Sequence, residues 1–289
     1  MPPAAAAVVT GREALRRAEP LLDRRPILLV SDFDGTLSPI VLDPWGALML
    51  PAARMALRRL AGMPDIHVAI LSGRGAADVA ARVRIGGVSY HGNHGLESGR
   101  LTRRQRASSL AVEVVSLPEV YAEAAERLAT ELPRAIPEAW LVVERKPPSV
   151  AFHYRGAPDV DAAGQRVRAA VERLDPEAVL ERFPGRRVLE LRPPGAPAKG
   201  DAMQTLIADY RPQVAFMLGD DVSDALAFRA LTRARAQGTI DGLALAVQAR
   251  AEAPPDVAAA ADLVLASPLE AASFLAGLVR RLRGDVPHP

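Results

Sequence analysis

The chain contains no cysteine among its 289 residues, which excludes disulfide cross-links, thiol catalysis and thiolate metal sites. Aromatic residues make up only 4% of the chain, so a nucleic-acid-binding protein that stacks bases is a poor match. No apolar run approaches the roughly 18 to 20 residues of a membrane span, and the start lacks the regions of a secretory signal. With 36 basic and 34 acidic residues leaving a net charge of +2, we expect a cytoplasmic protein that binds neither nucleic acid nor membrane.

Two other residue types are almost absent. The cations are nearly all arginine, the only lysines are Lys146 and Lys199, and the only asparagine is Asn93. Lysine is a compact point charge and arginine a flat fork, so a remaining lysine can mark a site that needs the point charge. A bias in composition would also explain why so few residues of these types occur. Whether the three residues lie in functional motifs decides between a functional role and such a bias.

Short apolar runs alternate with helical segments over much of the chain, and 49% of the residues are hydrophobic. Runs of this kind suit strands buried on both faces, so the alternation predicts an α/β fold with a doubly wound, Rossmann-like parallel sheet. The predicted strands are 27–30, 66–71, 214–218, 243–247 and 263–265, and the predicted helices are one up to about residue 23, then 52–60, 76–82, 202–208, 223–231 and 269–282.

The middle of the chain has a different pattern, which predicts an inserted α+β domain. The order is helix 117–132, strands 140–144 and 150–154, helix 159–174, and strands 178–183 and 187–191, or α-β-β-α-β-β. Phe183-Pro184-Gly185-Arg186 is predicted to be the turn of the last hairpin, and the proline-rich segment 192–197 marks the exit. We therefore expect a core from 1–105 and 194–289, interrupted by a cap domain at 106–193.

Polar side chains follow the predicted strands, at the sheet edge where α/β proteins bind their ligands. Asp32 and Asp34 end the first strand, and this pair suits a nucleophile with a general acid, a hard-cation site, or simply a capping and a turn aspartate. Ser72 is a candidate phosphate ligand or an ordinary helix cap, and Lys199 is a candidate counter-charge or a solvated linker residue.

A denser acidic group follows the strand at 214–218. Asp220, Asp221 and Asp224 place three carboxylates within five residues, and such a group repels itself unless a cation is present. Oxygen ligands without cysteine favour Mg²⁺ over zinc.

Taken in order, these residues resemble the four motifs of the haloacid-dehalogenase-type phosphatases: Asp-x-Asp-Gly-Thr, then Ser or Thr, then Lys, then Gly-Asp-Asp-x-x-Asp. The resemblance implies that Asp32 is the nucleophile that forms an aspartyl phosphate. It implies that Asp34 is the general acid and base, and that Ser72 and Lys199 hold the phosphoryl oxygens. It implies Mg²⁺ bound by the Asp32 carboxylate, the Asp34 backbone carbonyl and Asp220, with Asp221 or Asp224 supporting through water.

Three further blocks, at 91–97, 144–155 and 190–193, resemble the trehalose-6-phosphate phosphatase family, and the resemblance runs from about residue 27 to 228. Asn93 and both lysines lie within matched motifs, which favours a functional origin for them. The resemblance implies that the distal glucose is bound by the cap, and that further substrate-binding residues lie nearer the cleft mouth. The implied cap residues are Glu144, Lys146, Ser149 and Glu190, and the others are Arg74, Asn93, His94 and Arg155.

His153 and Arg155 could equally brace the first cap hairpin. The sequence departs from the family at Ser223-Asp224-Ala225, where Thr-Asp-Glu is usual. This departure leaves the metal site intact but puts in doubt any role of that glutamate in the surroundings of the site or in docking the cap.

The expected function is hydrolysis of trehalose 6-phosphate to trehalose and phosphate, the last step of trehalose synthesis, with a sugar phosphate as the small-molecule partner. A trehalose-phosphate synthase is a candidate protein partner that the sequence does not show. The alternatives are a sucrose-phosphate or mannosyl-phosphoglycerate phosphatase, which would share the core, and a non-catalytic sugar-phosphate sensor. The last would predict damage to the motif residues, and none is damaged. The cap is expected to open for substrate and close to exclude water.

Overall fold

The structure is a computed structural model, and it describes residues 6–41, 43–185, 187–248 and 255–284. The chain forms two compact units. The first consists of the described residues of Met1–Val41, Ala47–Val114 and Pro197–Pro289, and the second of those of Leu42–Gly46 and Val115–Ala196.

The described strands and helices have the following bounds. The strands are β1 Ala7–Val9, β2 Ile27–Ser31, β3 Ile66–Leu71, β4 Val88–Gly92, β5 Glu97–Arg100, β6 Glu113–Val114, β7 Val142–Lys146, β8 Ser149–His153, β9 Glu181–Gly185, β10 Val188–Arg192, β11 Val214–Gly219, β12 Asp241–Val247 and β13 Leu263–Leu265. The helices are α1 Gly11–Ala18, α2 Pro51–Leu60, α3 Ala76–Val83, α4 Glu119–Ala135, α5 Val160–Leu174, α6 Lys199–Tyr210, α7 Val222–Ala236, α8 Pro255–Ala260 and α9 Pro268–Arg283.

The first unit is built on one large sheet with the strand order β1-β13-β12-β11-β2-β3-β4-β5-β6. In this order the first seven strands, from β1 at the edge through β13, β12, β11, β2 and β3 to β4, all pair in parallel. The last two strands, β5 and β6, are antiparallel and form the other edge. The sheet is doubly wound because successive residues of the central strand β2 enter different cores. Ile27 and Leu29 pack with residues of α1, α2, α3 and α9, while Leu28 and Val30 pack with residues of α6, α7 and α8.

The second unit has the predicted order α4-β7-β8-α5-β9-β10, with an antiparallel sheet in the strand order β7-β8-β10-β9. Its core lies between one face of this sheet and the two helices, and it includes Phe152 and Leu189 from the sheet and Leu128 and Val167 from the helices. Because side chains alternate along a strand, the residues between these core positions lie on the other face of the sheet.

The predicted fold class is confirmed, and the differences lie at the edges of the sheets. The predicted first helix is wrong in its first part, since Ala7–Val9 pairs with β13 and the helix begins after Thr10, whose side chain and Glu13 form a capping box. The predicted last hairpin turn is also misplaced. Gly185 pairs with Val188, so Phe183 and Pro184 lie within an edge strand, where a proline is tolerated. Arg186 and the first and last five residues lie outside the described residues.

Besides β1, four short elements have no bounds in the prediction: α8 and the strands β4, β5 and β6. Each has six residues or fewer, which leaves little periodicity to detect. Among the described residues, no helix has both the length and the apolar character that crossing a bilayer requires.

Candidate active site

The strands β2 and β11 end side by side and bring two motifs to one edge of the sheet. Ser31 pairs with Leu218, and the Asp32 amide donates to the Leu218 carbonyl at 2.9 Å. Asp32 and Asp220 therefore leave adjacent strands at the same level. This placement follows from the parallel register, because the carboxyl ends of parallel strands share one edge.

Three carboxylates meet at this edge. Asp32, Asp220 and Asp224 each present an oxygen, and these oxygens lie within 4.8 Å of one another. Lys199, the first residue of α6, joins two of them, since its Nζ donates to Asp32 Oδ1 at 2.8 Å and to Asp224 Oδ1 at 2.7 Å. Asp32, Lys199 and Asp224 are almost fully buried, so the charges act on one another with little screening by water.

The remaining oxygen of Asp224 holds the start of the loop before α7. Asp224 Oδ2 accepts from the backbone amides of Asp220 and Asp221, each at 3.1 Å. Asp221 is exposed, and its carboxylate accepts from the Val222 amide at 2.7 Å at the beginning of α7. Asp224 thus anchors both the lysine and the acidic loop, while Asp221 caps the helix.

Two glycines make room for this acidic centre. Gly35 has φ +76°, and a Cβ there would lie 2.1 Å from Asp220 Oδ2. A Cβ on Gly219 would lie 2.3 Å from Asp224 Cγ. Two constraints therefore favour glycine at position 35: the positive φ of the turn, and the Asp220 carboxylate, which leaves no room for a Cβ.

Burial and mutual repulsion perturb these groups strongly. Burial raises the pKa of Asp32 to about 8, against the attraction of Lys199 and with an added rise from Asp224. Burial also raises the pKa of Asp220 well above its ordinary value, and Asp32 and Asp224 add to that rise. Burial acts to lower the pKa of Lys199, but Asp224 and Asp32 outweigh it and raise the pKa.

These donors fit a divalent cation. Three carboxylates face a single lysine, so the centre has an excess of negative charge, and all the acidic ligands are hard oxygen atoms. A bound cation would lower the pKa values of these carboxyl groups, because it favours the ionised carboxylates that burial alone disfavours. Of the three carboxylates, Asp224 makes the most contacts, with Lys199 and two backbone amides, and so is the least available to a cation.

Asp34 is directed to a different partner. Arg74 donates from Nε to Asp34 Oδ2 at 2.6 Å and from Nη2 to Asp34 Oδ1 at 2.8 Å, a two-pronged contact that fixes the carboxylate plane. Arg74 Nη1 also donates to Asp78 Oδ2 at 3.2 Å, and Arg82 Nε donates to the same oxygen at 2.9 Å. Arg74, predicted to bind substrate, is therefore the residue that positions Asp34 in this structure.

The loop containing Ser72 is fastened to the loop after β4. The His94 amide donates to the Ser72 carbonyl at 3.0 Å, and the Asn93 amide donates to the Arg74 carbonyl at 2.7 Å. Asn93 and His94 have φ of +48° and +60°, which non-glycine residues adopt only where the surroundings enforce it. The His94 ring also lies over Gly73, where a Cβ would be 2.9 Å from it. The strained loop thus shapes the backbone around Ser72.

The second unit gathers its predicted residues on the sheet face that points away from its helices. Opposed residues of antiparallel strands share a face, and Lys146 lies opposite Ser149 while Glu190 lies opposite Ala151. Glu144 is two residues from Lys146 and so lies on that face as well. Arg155 lies two residues beyond the end of β8, outside this set.

This face has one buried ion pair and one hydroxyl with no hydrogen-bond partner. Lys146 Nζ lies 2.8 Å from Glu190 Oε1, and Ser149 Oγ is buried without a partner among the described residues. Burial acts to lower the pKa of Lys146, but Glu190 and Glu144 outweigh it and raise the pKa. His153 Nε2 lies 2.9 Å from Glu144 Oε2, which is the bracing contact expected as the alternative for His153.

Sequence reasoning missed Asp78 and Arg192. Asp78 lies four residues from Arg82 on α3, a spacing that predicts an ion pair, and four residues after Arg74, which lies just before the helix. Arg192 was placed in a motif without a role, and its guanidinium lies over the Phe183 ring, 5.1 Å from the centroid. Ala225, where the family has glutamate, is fully buried, so a carboxylate at that position would be buried too.

An acidic centre bridged by one lysine at the carboxyl edge of a doubly wound sheet, in a chain interrupted by an α+β unit, is the architecture of the haloacid-dehalogenase-type hydrolases. Residues 30–255 match the family model described as Trehalose-phosphatase, and the chain belongs to this family. The resemblance of the motifs to that family is thereby confirmed.

Individual relatives agree with this assignment. The chain is 38% identical over 274 residues to a trehalose-phosphate phosphatase of Mycobacterium avium, covering 93% of this chain and 66% of the relative. It is 35% identical over 276 residues to one of Mycobacterium tuberculosis strain H37Rv, covering 94% and 66%. The chain thus spans just under two thirds of the length of these relatives.

A solved structure shares the fold. The C-terminal domain of the Candida albicans trehalose-6-phosphate phosphatase superposes with a TM-score of 0.75 at 21% identity, covering 96% of this chain and 98% of that one. At this identity the likeness establishes the architecture alone.

We expect Gly35→Ala to lower the free energy of unfolding by about 1–3 kcal/mol, since the added methyl meets both a positive φ and the Asp220 carboxylate. Gly238→Ala is the matched control, because Gly238 has φ +70° but no atom within 4 Å of the added Cβ. Chemical denaturation measures both variants. An equal loss in the two would show that the Asp220 contact contributes nothing.

Proposed function

We propose that this protein is a phosphatase that hydrolyses trehalose 6-phosphate to trehalose and phosphate with Mg²⁺ as its cofactor. The observation that carries the proposal is the buried centre of Asp32, Asp220 and Asp224 joined by Lys199, in a member of the trehalose-phosphatase family. The choice of substrate is supported by the relatives, which are trehalose-phosphate phosphatases, and by the charged pair Lys146–Glu190 on the sheet of the second unit.

In this proposal Asp32 attacks the phosphorus atom. A bond forms between an Asp32 carboxylate oxygen and phosphorus, and the bond from phosphorus to the sugar oxygen breaks. The leaving oxygen takes a proton from Asp34. Water then attacks the aspartyl phosphate and gives a proton back to Asp34, which releases inorganic phosphate and restores the Asp32 carboxylate.

The residues around Asp32 prepare it for this step. Lys199 donates to Asp32 Oδ1 at 2.8 Å, which orients the carboxylate, and the positive charge of Lys199 offsets the negative charge of an arriving phosphate. Ser72 and Lys199 bind the phosphoryl oxygens. Arg74 holds both oxygens of Asp34, so proton transfer requires Asp34 to give up one of these contacts.

Bound Mg²⁺ would supply the positive charge that lets an anionic carboxylate approach an anionic phosphate ester. Asp32, Asp220 and the backbone carbonyl of Asp34 are the proposed ligands, with Asp221 or Asp224 in support. Asp224 is already engaged by Lys199 and two backbone amides, which favours an indirect role for it.

The second unit, predicted as a cap at 106–193, is proposed to select the sugar. Glu144, Lys146, Ser149 and Glu190 offer charged groups and one unsatisfied hydroxyl on a single sheet face. Such groups favour a ligand with many hydroxyls, because a smaller ligand would leave buried polar atoms unpaired. Asn93, His94 and Arg155 are proposed to contact the substrate nearer the cleft mouth.

Phosphate release from a panel of sugar phosphates tests the function directly. We expect trehalose 6-phosphate to be the preferred ester over sucrose 6-phosphate, mannosyl-phosphoglycerate and glucose 6-phosphate. EDTA should abolish release and added Mg²⁺ should restore it. Release from other esters but not from trehalose 6-phosphate would refute the proposed substrate, and full activity in EDTA would refute the proposed cofactor.

Asp32→Asn should lower kcat by about 10³-fold or more on every ester, since the amide is a poor nucleophile. Asp241→Asn is the control, because Asp241 forms a half-exposed ion pair with Arg24 at 3.0 Å. Burst kinetics and circular dichroism would separate loss of chemistry from loss of fold. Substantial turnover by a folded Asp32→Asn variant would exclude the aspartyl-phosphate route.

Lys146→Ala should lower kcat/KM for trehalose 6-phosphate by about 10- to 100-fold, because a charged hydrogen bond to the sugar is lost. Hydrolysis of p-nitrophenyl phosphate should change less than about twofold, since that ester has no disaccharide to bind. Equal loss on both esters would contradict this division of roles.

Removing only the lysine breaks the largely buried ion pair with Glu190, and breaking a buried ion pair costs about 3–5 kcal/mol of stability. The double variant Lys146→Met with Glu190→Gln removes both charges and serves as the folded comparison. It should show the same selective loss on trehalose 6-phosphate.

A further inference from the structure

Phe183 is an exposed aromatic residue on the sheet of the second unit. It lies in the edge strand β9, and 40% of its surface is exposed, whereas the large apolar residues on the helix side of this sheet are buried. A single exposed apolar side chain is ordinary on a protein surface, so the position of Phe183 relative to its charged neighbours is what matters.

The strand register places this ring beside the Lys146–Glu190 ion pair. Phe183 lies directly opposite Glu190, and Glu190 lies directly opposite Ala151 in the next strand. Opposed residues share one face of the sheet, so the aromatic ring and the ion pair lie next to each other on the face away from the helices.

Arg192 holds the ring from one side. Its guanidinium lies 5.1 Å from the centroid of Phe183, and Arg192 is itself buried. Arg192 is two residues from Glu190 in β10 and therefore lies on the same face. The cation–π contact fixes the ring orientation, so the exposed part of the ring is presented in one position.

A pyranose ring matches this combination. Its hydroxyls form a polar rim that suits charged donors and acceptors, while its axial C–H bonds form an apolar face that carries slight positive charge. The face of an aromatic ring is slightly negative and attracts such hydrogen atoms. An aromatic ring beside a lysine–glutamate pair therefore serves both parts of the sugar.

We propose that Phe183 determines specificity by packing its ring against a glucose ring of the disaccharide while Lys146 and Glu190 bind its hydroxyls. This inference rests on the proposed function and adds to it a contact that depends on shape and apolar character. None of the chemical steps at Asp32 involves Phe183.

Kinetics of Phe183 variants test the proposal. Phe183→Ala should lower kcat/KM for trehalose 6-phosphate roughly 3- to 15-fold, chiefly through KM, and leave p-nitrophenyl phosphate within about twofold. Phe183→Trp should retain the wild-type value, and Phe183→Leu should fall between. Val120→Ala is the matched control, because Val120 is an exposed apolar residue of the same unit on α4.

Saturation-transfer NMR with trehalose tests the same contact without turnover. Irradiation of the aromatic protons should saturate the trehalose C–H protons in the wild-type protein and much less in Phe183→Ala. Absence of that difference, an unchanged KM, or an equal loss on both esters would overturn the role of Phe183. A wild-type protein that releases no phosphate from trehalose 6-phosphate would instead overturn the proposed function, and the NMR comparison would still decide the contact.

Discussion

Repulsion among buried carboxylates is the constraint on which the first unit depends. Asp32, Asp220 and Asp224 bring oxygens within 4.8 Å of one another, and the one lysine among them cannot balance three negative charges. The raised pKa values of Asp32 and Asp220 express this imbalance. In the proposed function a bound cation would relieve this repulsion, and its positive charge would let an anionic ester approach the carboxylates.

The backbone is arranged to maintain this crowding. Gly35 and Gly219 leave out the Cβ atoms that would displace Asp220 and Asp224, and Asp224 ties the acidic loop to itself through two amides. The parallel register of β2 and β11 supplies the common edge. Rigidity of this kind keeps the charges from moving apart, which is how their repulsion would otherwise be relieved.

The charged groups on the sheet of the second unit are balanced, unlike those of the acidic centre. Lys146 and Glu190 are matched in sign and lie 2.8 Å apart, so this pair is balanced without any bound group. The neighbouring Ser149 hydroxyl and the Phe183 ring add an unsatisfied polar atom and an apolar surface. In the proposed function this face would select the sugar by shape and hydrogen bonding, whereas the unbalanced centre of the first unit would bind charged groups.

Local sequence patterns predicted the fold class, the order of the elements in the second unit, the central strands and most helices of the first, and the motif residues, because buried strands and strand-end clusters leave strong local signals. They could not show that Asp224 joins Asp32 and Asp220 while the Asp34 carboxylate turns to Arg74, since side-chain direction depends on the turn at Gly35 and the start of α7. The edge strand at Ala7–Val9 and the place of Phe183 beside Glu190 also required tertiary structure. The edge strand depends on pairing with β13, a segment distant in sequence that no local pattern encodes. The place of Phe183 depends on the register of the β9–β10 hairpin, whose turn the prediction misplaced.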